Sequence, residues 1–219
     1  MGSVPLRHVG RPLAHRVGAL LFAAPLLAVL LLLSGCGQQA KLAPLEPGAV
    51  LLAFGDSLTY GTGANENESY PARLEQLAGR RVVRAGVPGE VSAAGLARLP
   101  AVLEEYRPRL LLLCHGGNDF LRRLPKAEAA ANVRAMVRLA QSRGIDVLLI
   151  GTPEFGLLLS PPDFYADIAK ELRIPYEGEV LGRILRDSNL KSDQVHPNEK
   201  GYRLMAERVH ALLRKSGAL

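Results

Sequence analysis

Several kinds of protein are excluded by what this sequence has little of. It contains no tryptophan, two cysteines, five histidines and only 5% aromatic residues in 219 positions. Cys36 and Cys114 are too few for the disulfide framework that staples many exported domains. The histidines and cysteines are spread singly, so no metal-ligand cluster exists and no cofactor is implied. No basic run is interleaved with aromatics, which removes the usual footprint of a nucleic-acid surface. The formal charge of +6 is also partly a matter of the first 35 residues, which carry Arg7, Arg11 and Arg16 and no acid. Without them 24 basic side chains face 21 acidic ones, a net of +3 that is too mild and scattered to demand a polyanionic partner.

That acid-free segment reads as an export signal, residues 1–35. A basic stretch ends at Arg16, residues 17–33 are nearly all apolar, and the run breaks at Leu33-Ser34-Gly35-Cys36. An uncleaved membrane anchor is the alternative, because the run approaches the ~18 residues at which spanning becomes feasible. The small residues right after it favour cleavage. Leu-Ser-Gly-Cys resembles the lipobox of bacterial lipoproteins, which implies lipidation at Cys36, attachment to a membrane and a working place outside the cytoplasm. Gly37 after the cysteine is compatible with the outer membrane. Residues 36–48 then form the lipidated cysteine and a short tether, with Cys114 left as an inert, buried thiol without a partner.

From residue 49 to 219 the pattern is that of one domain long enough to bury a core. Short apolar runs at 50–54, 81–85, 110–114 and 145–150, and a weaker one at 174–176, alternate with helical patterns. Val133, Met136, Val137 and Ala140 make one helix stripe, and Tyr202, Met205, Val209 and Leu212 another. Such alternation predicts an α/β fold, a three-layer sandwich with a central, mainly parallel five-stranded sheet. Ligands in such folds sit beyond the carboxyl ends of the strands. The loops there are FGDSLTYG (54–61), GVPGE (86–90) and HGGND (115–119), while DQVHPN (193–198) precedes the last helix.

Ser57 ends an apolar strand in a tight turn, which holds out a hydroxyl but equally starts a helix. A hydroxyl needs a base, and His196 is the best candidate. Asp193 stands three residues before it, near enough to accept the imidazole N–H and fix the tautomer, although it also suits a simple turn. His115 reads instead as a loop histidine with a backbone hydrogen bond, and His210 as a helix-surface residue. Oxyanion donors have three sources: the Ser57 N–H, the N–H of Gly89 and the side-chain amide of Asn118. Each of these is also ordinary turn or cap chemistry; their joint fall on one sheet edge carries the argument. Asn198 suits the cap of the last helix. Gly61-Thr62-Gly63 reads as a turn beside the site, not as a nucleotide loop.

Together FGDSLTYG, the Gly of GVPGE, GGND and DQVHPN resemble the four marker blocks of the GDSL, or SGNH, hydrolases. The resemblance covers the chain from about Val50 to its end and is closest to the thioesterase, lysophospholipase and arylesterase branch. It implies a flavodoxin-like fold with Ser57 as nucleophile, His196 as base and acid, and Asp193 as its partner. It also implies an oxyanion site of Ser57, Gly89 and Asn118, and an acyl ester or thioester substrate for a monomeric enzyme. No GxSxG motif points to the other common hydrolase fold. Arg84 stands about where an Asn is usual in the second block, and the usual Ser or Thr near that turn is shifted. A carbohydrate O-acetylesterase and a non-catalytic envelope lipoprotein are the alternatives. Residues 151–159, with Phe155, Leu157, Leu158 and Leu159, read either as the wall of an acyl channel or as a packed loop.

Overall fold

The computed structural model describes residues 1–2, 40–154, 156 and 159–219. Cys36 and its lipobox, and Phe155, Leu157 and Leu158, lie outside the described residues. The chain divides into two units, Met1–Gln38 and Gln39–Leu219, and the described strands and helices belong to the second.

Five strands form that sheet: β1 (Val50–Gly55), β2 (Arg81–Gly86), β3 (Leu110–Cys114), β4 (Asp146–Ile150) and β5 (Tyr176–Glu177). Their order is β2-β1-β3-β4-β5 and every pairing is parallel. The eight described α-helices are α1 (Ser57–Tyr60), α2 (Tyr70–Ala78), α3 (Ser92–Tyr106), α4 (Gly117–Leu121), α5 (Lys126–Ser142), α6 (Phe164–Leu172), α7 (Val180–Arg186) and α8 (Glu199–Ser216).

The apolar strand runs look continuous because both faces of a parallel sheet are covered. Side-chain alternation then divides each run between two cores. Leu51, Ala53, Leu110, Leu112, Leu148 and Ile150 face α2, α7 and α8, while Leu52, Phe54, Leu111, Leu113, Val147 and Leu149 face α3, α5 and α6. The expected stripe of α5 is buried in full; in α8 Leu213 takes the core position and Leu212 is half-buried. β2 is an edge strand, which explains how it tolerates Arg81 and Arg84.

Part of the expected tether is docked on the domain. The Leu42 and Leu45 N–H groups donate to the Ser216 and Ala218 carbonyls, each at 2.9 Å, and both leucines are buried. Among the described residues, no helix is long and apolar enough to cross a membrane.

Candidate active site

The carboxyl ends of β1, β2, β3 and β4 open onto one cavity of about 260 Å³. Asp56, Ser57, Gly89, Asn118, Thr152 and His196 line it, with Leu58, Leu121, Pro153, Leu185 and Val195 as apolar wall.

The turn after β1 does both of the jobs that the sequence left open. Asp56 caps α1 by accepting the Leu58 N–H at 3.0 Å, and Ser57 begins the helix with its hydroxyl in the cavity. Nε2 of His196 lies 3.0 Å from the Ser57 Oγ, and its Nδ1 lies 2.8 Å from Asp193 Oδ2. The other Asp193 oxygen accepts the Val195 and His196 backbone N–H groups, each at 2.8 Å. Asp193 therefore shapes the turn and faces the imidazole at once. Burial alone would raise its pKa, but the hydrogen bond from His196 and the two backbone N–H groups lower it below the ordinary aspartate value.

The histidine loop is braced by its neighbours. Asn198 caps α8, its side chain accepting the Gly201 N–H at 3.1 Å. Gly63 has φ +98°, and a Cβ there would overlap the Ser192 hydroxyl and come within 2.5 Å of the Pro197 carbonyl. The glycine turn is thus packed against Ser192 and Pro197, which flank the Asp193–His196 segment, and the Tyr202 hydroxyl holds it by donating to the Thr62 carbonyl at 2.8 Å.

Gly89 comes from the loop after β2, whereas the expected loop 115–119 turns helical at Gly117 and places Asn118 in the first turn of α4. Gly89 has φ +77°. Among the described residues neither its N–H nor that of Ser57 meets an acceptor. The Asn118 Nδ2 donates to Asp56 Oδ2 at 3.2 Å and to the Glu90 carbonyl at 3.1 Å. Both contacts engage the amide, so donation to a further acceptor in the cavity requires one of them to be exchanged. Asp56 is buried, and that burial raises its pKa despite the opposing effects of His115, the Leu58 N–H and His196.

Further contacts between the second and third loops escaped the sequence. Glu90 is clamped by Arg98 and His115. Asp119 accepts the Ser92 N–H at 2.8 Å and the Ser92 hydroxyl at 2.6 Å, and Arg122 donates to the Gly89 carbonyl at 2.8 Å. His115 has the expected backbone hydrogen bond, from the Gly116 N–H at 3.0 Å, but also the unexpected carboxylate. A charge eight residues along, across a turn and into a helix, leaves no periodic signal. Arg84, in the departing second block, donates to the Tyr60 carbonyl at 2.6 Å and lies over the Tyr60 ring. Among the described residues no group of three or more His, Cys, Asp or Glu is arranged to hold a metal ion.

The model of a GDSL-like lipase/acylhydrolase family matches residues 53–204. Esterase TesA of Pseudomonas aeruginosa is 34% identical over 180 residues, 76% of this chain and 89% of that one. The thioesterase 1/protease 1/lysophospholipase L1 of Escherichia coli is 30% identical over 165 residues, covering 72% and 79%. The crystal structure of the psychrotrophic esterase EstA from Pseudoalteromonas, inhibited by monoethylphosphonate, superposes with a TM-score of 0.68. It is 25% identical and covers 76% of this chain and 97% of that one.

Proposed function

This chain belongs to the GDSL-like lipase/acylhydrolase family, and from that premise we propose that Ser57, His196 and Asp193 carry its esterase chemistry. His196 Nε2 takes the Ser57 proton as Oγ attacks the acyl carbonyl. Asp193 holds the tautomer that presents a lone pair to Ser57 and stabilises the imidazolium that forms. The Ser57 and Gly89 N–H groups and the Asn118 amide stabilise the tetrahedral oxyanion. His196 then returns the proton to the departing alcohol or thiol. Water, activated by the same imidazole, releases the acid from the acyl-enzyme.

One observation carries this reading: the unbroken line from Asp193 Oδ2 through His196 to Ser57 Oγ, with steps of 2.8 and 3.0 Å. Pairing at those distances is what a weak hydroxyl needs to become a nucleophile. The cavity favours acyl groups longer than acetyl, since its walls include Leu58, Leu121, Leu185 and Val195. This argues for an arylesterase, lysophospholipase or thioesterase-like role over a carbohydrate O-acetylesterase. The proposal includes export and lipid attachment at Cys36, which would keep a monomeric enzyme beside membrane-derived acyl esters.

The test is hydrolysis of p-nitrophenyl acetate, butyrate, octanoate and palmitate by the protein and by Ser57→Ala. Turnover that peaks beyond acetate and is lost in the variant supports the reading. A folded protein with no Ser57-dependent turnover on any of them overturns it. Acetate preference alone would move it to the deacetylase.

A further inference from the structure

We propose that Glu90 is a positioning residue for the oxyanion site, holding the Gly89 loop and the Asn118 amide through a buried clamp made with Arg98 and His115. The proposal rests on the esterase reading of Gly89 and Asn118.

Glu90 directly follows Gly89, and its side chain is only 7% exposed. A carboxylate withdrawn from water is costly unless it is paired and hydrogen-bonded. Here Arg98 grips both oxygens, Nε on Oε1 at 2.8 Å and Nη2 on Oε2 at 2.7 Å. His115 Nε2 adds a third contact to Oε2 at 3.1 Å. Because His115 Nδ1 accepts the Gly116 N–H, its ring proton sits on Nε2 and donates to Glu90. This planar, two-pronged grip with a third donor fixes the carboxylate in direction as well as place.

The partners are themselves anchored. Arg98 Nη2 also donates to the Ala85 carbonyl at 3.2 Å, at the end of β2, and its guanidinium lies 4.1 Å from the centre of the Phe54 ring. His115 is fully buried against α3 at Gly95, where a Cβ would overlap the imidazole. The clamp thus joins the sheet edge, α3 and the third loop to the residue beside Gly89. Through its backbone the same residue reaches the other donor, since the Glu90 carbonyl accepts from Asn118 Nδ2 at 3.1 Å. One residue therefore sets both donors: Gly89 through the chain and Asn118 through a carbonyl.

The experiment is a double-mutant cycle in the full-length protein, Glu90→Gln and Asn118→Ala singly and together, with kcat and KM on p-nitrophenyl butyrate. Gln keeps the shape but turns an amide N–H toward donors. Glu90→Gln alone should lower kcat about 10- to 100-fold, less than full loss of an oxyanion donor, and leave KM within about two-fold. In the Asn118→Ala background the same change should lower kcat much less, because one donor it positions is already gone. An unchanged kcat, a loss confined to KM, or an equal loss in both backgrounds overturns the proposal. If Glu90→Gln does not fold, Arg98→Lys, which keeps the charge and loses the two-pronged grip, is read by the same criteria. If the wild type shows no Ser57-dependent turnover, the esterase reading fails separately. The clamp is then judged by NMR: the Asn118 side-chain amide and Gly89 N–H resonances should shift in Glu90→Gln, and unshifted ones refute it.

Discussion

Asp193 meets His196 twice: one oxygen accepts its backbone N–H at 2.8 Å, and the other lies 2.8 Å from the ring Nδ1. The first contact builds the turn and the second orients the base, so substitutions can separate them. In Asp193→Asn the side-chain oxygen still closes the turn, but the amide N–H faces Nδ1. The ring must then carry its proton on Nε2, toward Ser57, and cannot accept one. kcat should fall about 10³- to 10⁴-fold, with thermal stability nearly unchanged. Asp193→Ala should lose activity similarly and also lower the melting temperature, since the turn goes too. Paired melting curves and ester assays distinguish these outcomes.

Asn118→Ala should lower kcat about 10²- to 10³-fold with little effect on KM, as expected for a group that acts on the oxyanion and not on bound substrate. It should also destabilise the fold by about 1–3 kcal/mol, because it strips a donor from the buried Asp56 carboxylate. A denaturant titration measures the second effect independently of turnover. A rise in KM with kcat intact would remove Asn118 from the oxyanion site.

Glu90 gives the stability a defined dependence on pH. Its burial would raise the pKa, yet the hydrogen bonds and charges of Arg98 and His115 bring it from 4.5 down to about 2. A depressed carboxylate pKa stabilises the fold above its unfolded value and loses that contribution as pH falls through the folded one. Between roughly pH 4.5 and 2 the wild type should therefore lose at most about 3 kcal/mol through this group, and Glu90→Gln should show a flatter slope. Unfolding free energies measured across that range decide it; parallel slopes would mean that Glu90 titrates normally.

The parallel sheet and the edge that bears the loops were legible because they depend on repetition. Short apolar runs recur between helical stripes, and such alternation means parallel strands covered by helices on both faces. That Ser57, Gly89, Asn118 and the Asp193–His196 pair would meet was legible for a different reason: turn residues of distinctive chemistry stood after three strands and before the last helix. The Glu90–Arg98–His115 clamp was not. Its members come from a loop, a helix and a strand end, and only the fold makes them neighbours. The docking of Leu42 and Leu45 on the C-terminal residues was hidden likewise, because Pro and Gly nearby gave the segment the look of a linker.

Gly63→Ala should be damaging although no hydrogen bond is removed. The left-handed backbone at φ +98° disfavours any Cβ, and this one would overlap the Ser192 hydroxyl behind the histidine loop. Backbone strain alone is worth about 1–2 kcal/mol, and relief by moving residues 192–197 would carry His196 away from Ser57. A melting temperature lowered by several degrees together with at least a ten-fold loss in kcat is expected. Wild-type activity with a lowered melting temperature would mean that the loop yields elsewhere.

Leu121 offers the cleanest probe of what the cavity accepts. It lines the site at the end of α4, yet it is 47% exposed, so its truncation leaves no buried void. An acyl chain that lies against it would cover apolar surface that is otherwise wet, worth about 0.8 kcal/mol for each methylene buried. Acetate is too short to make this contact and octanoate is not. Leu121→Ala should therefore lower kcat/KM for p-nitrophenyl octanoate about 3- to 10-fold and leave acetate within about two-fold. An equal loss on both esters would put Leu121 beside the leaving group, because p-nitrophenolate is common to them, and the acyl chain would then lie against other apolar lining such as Leu185 and Val195.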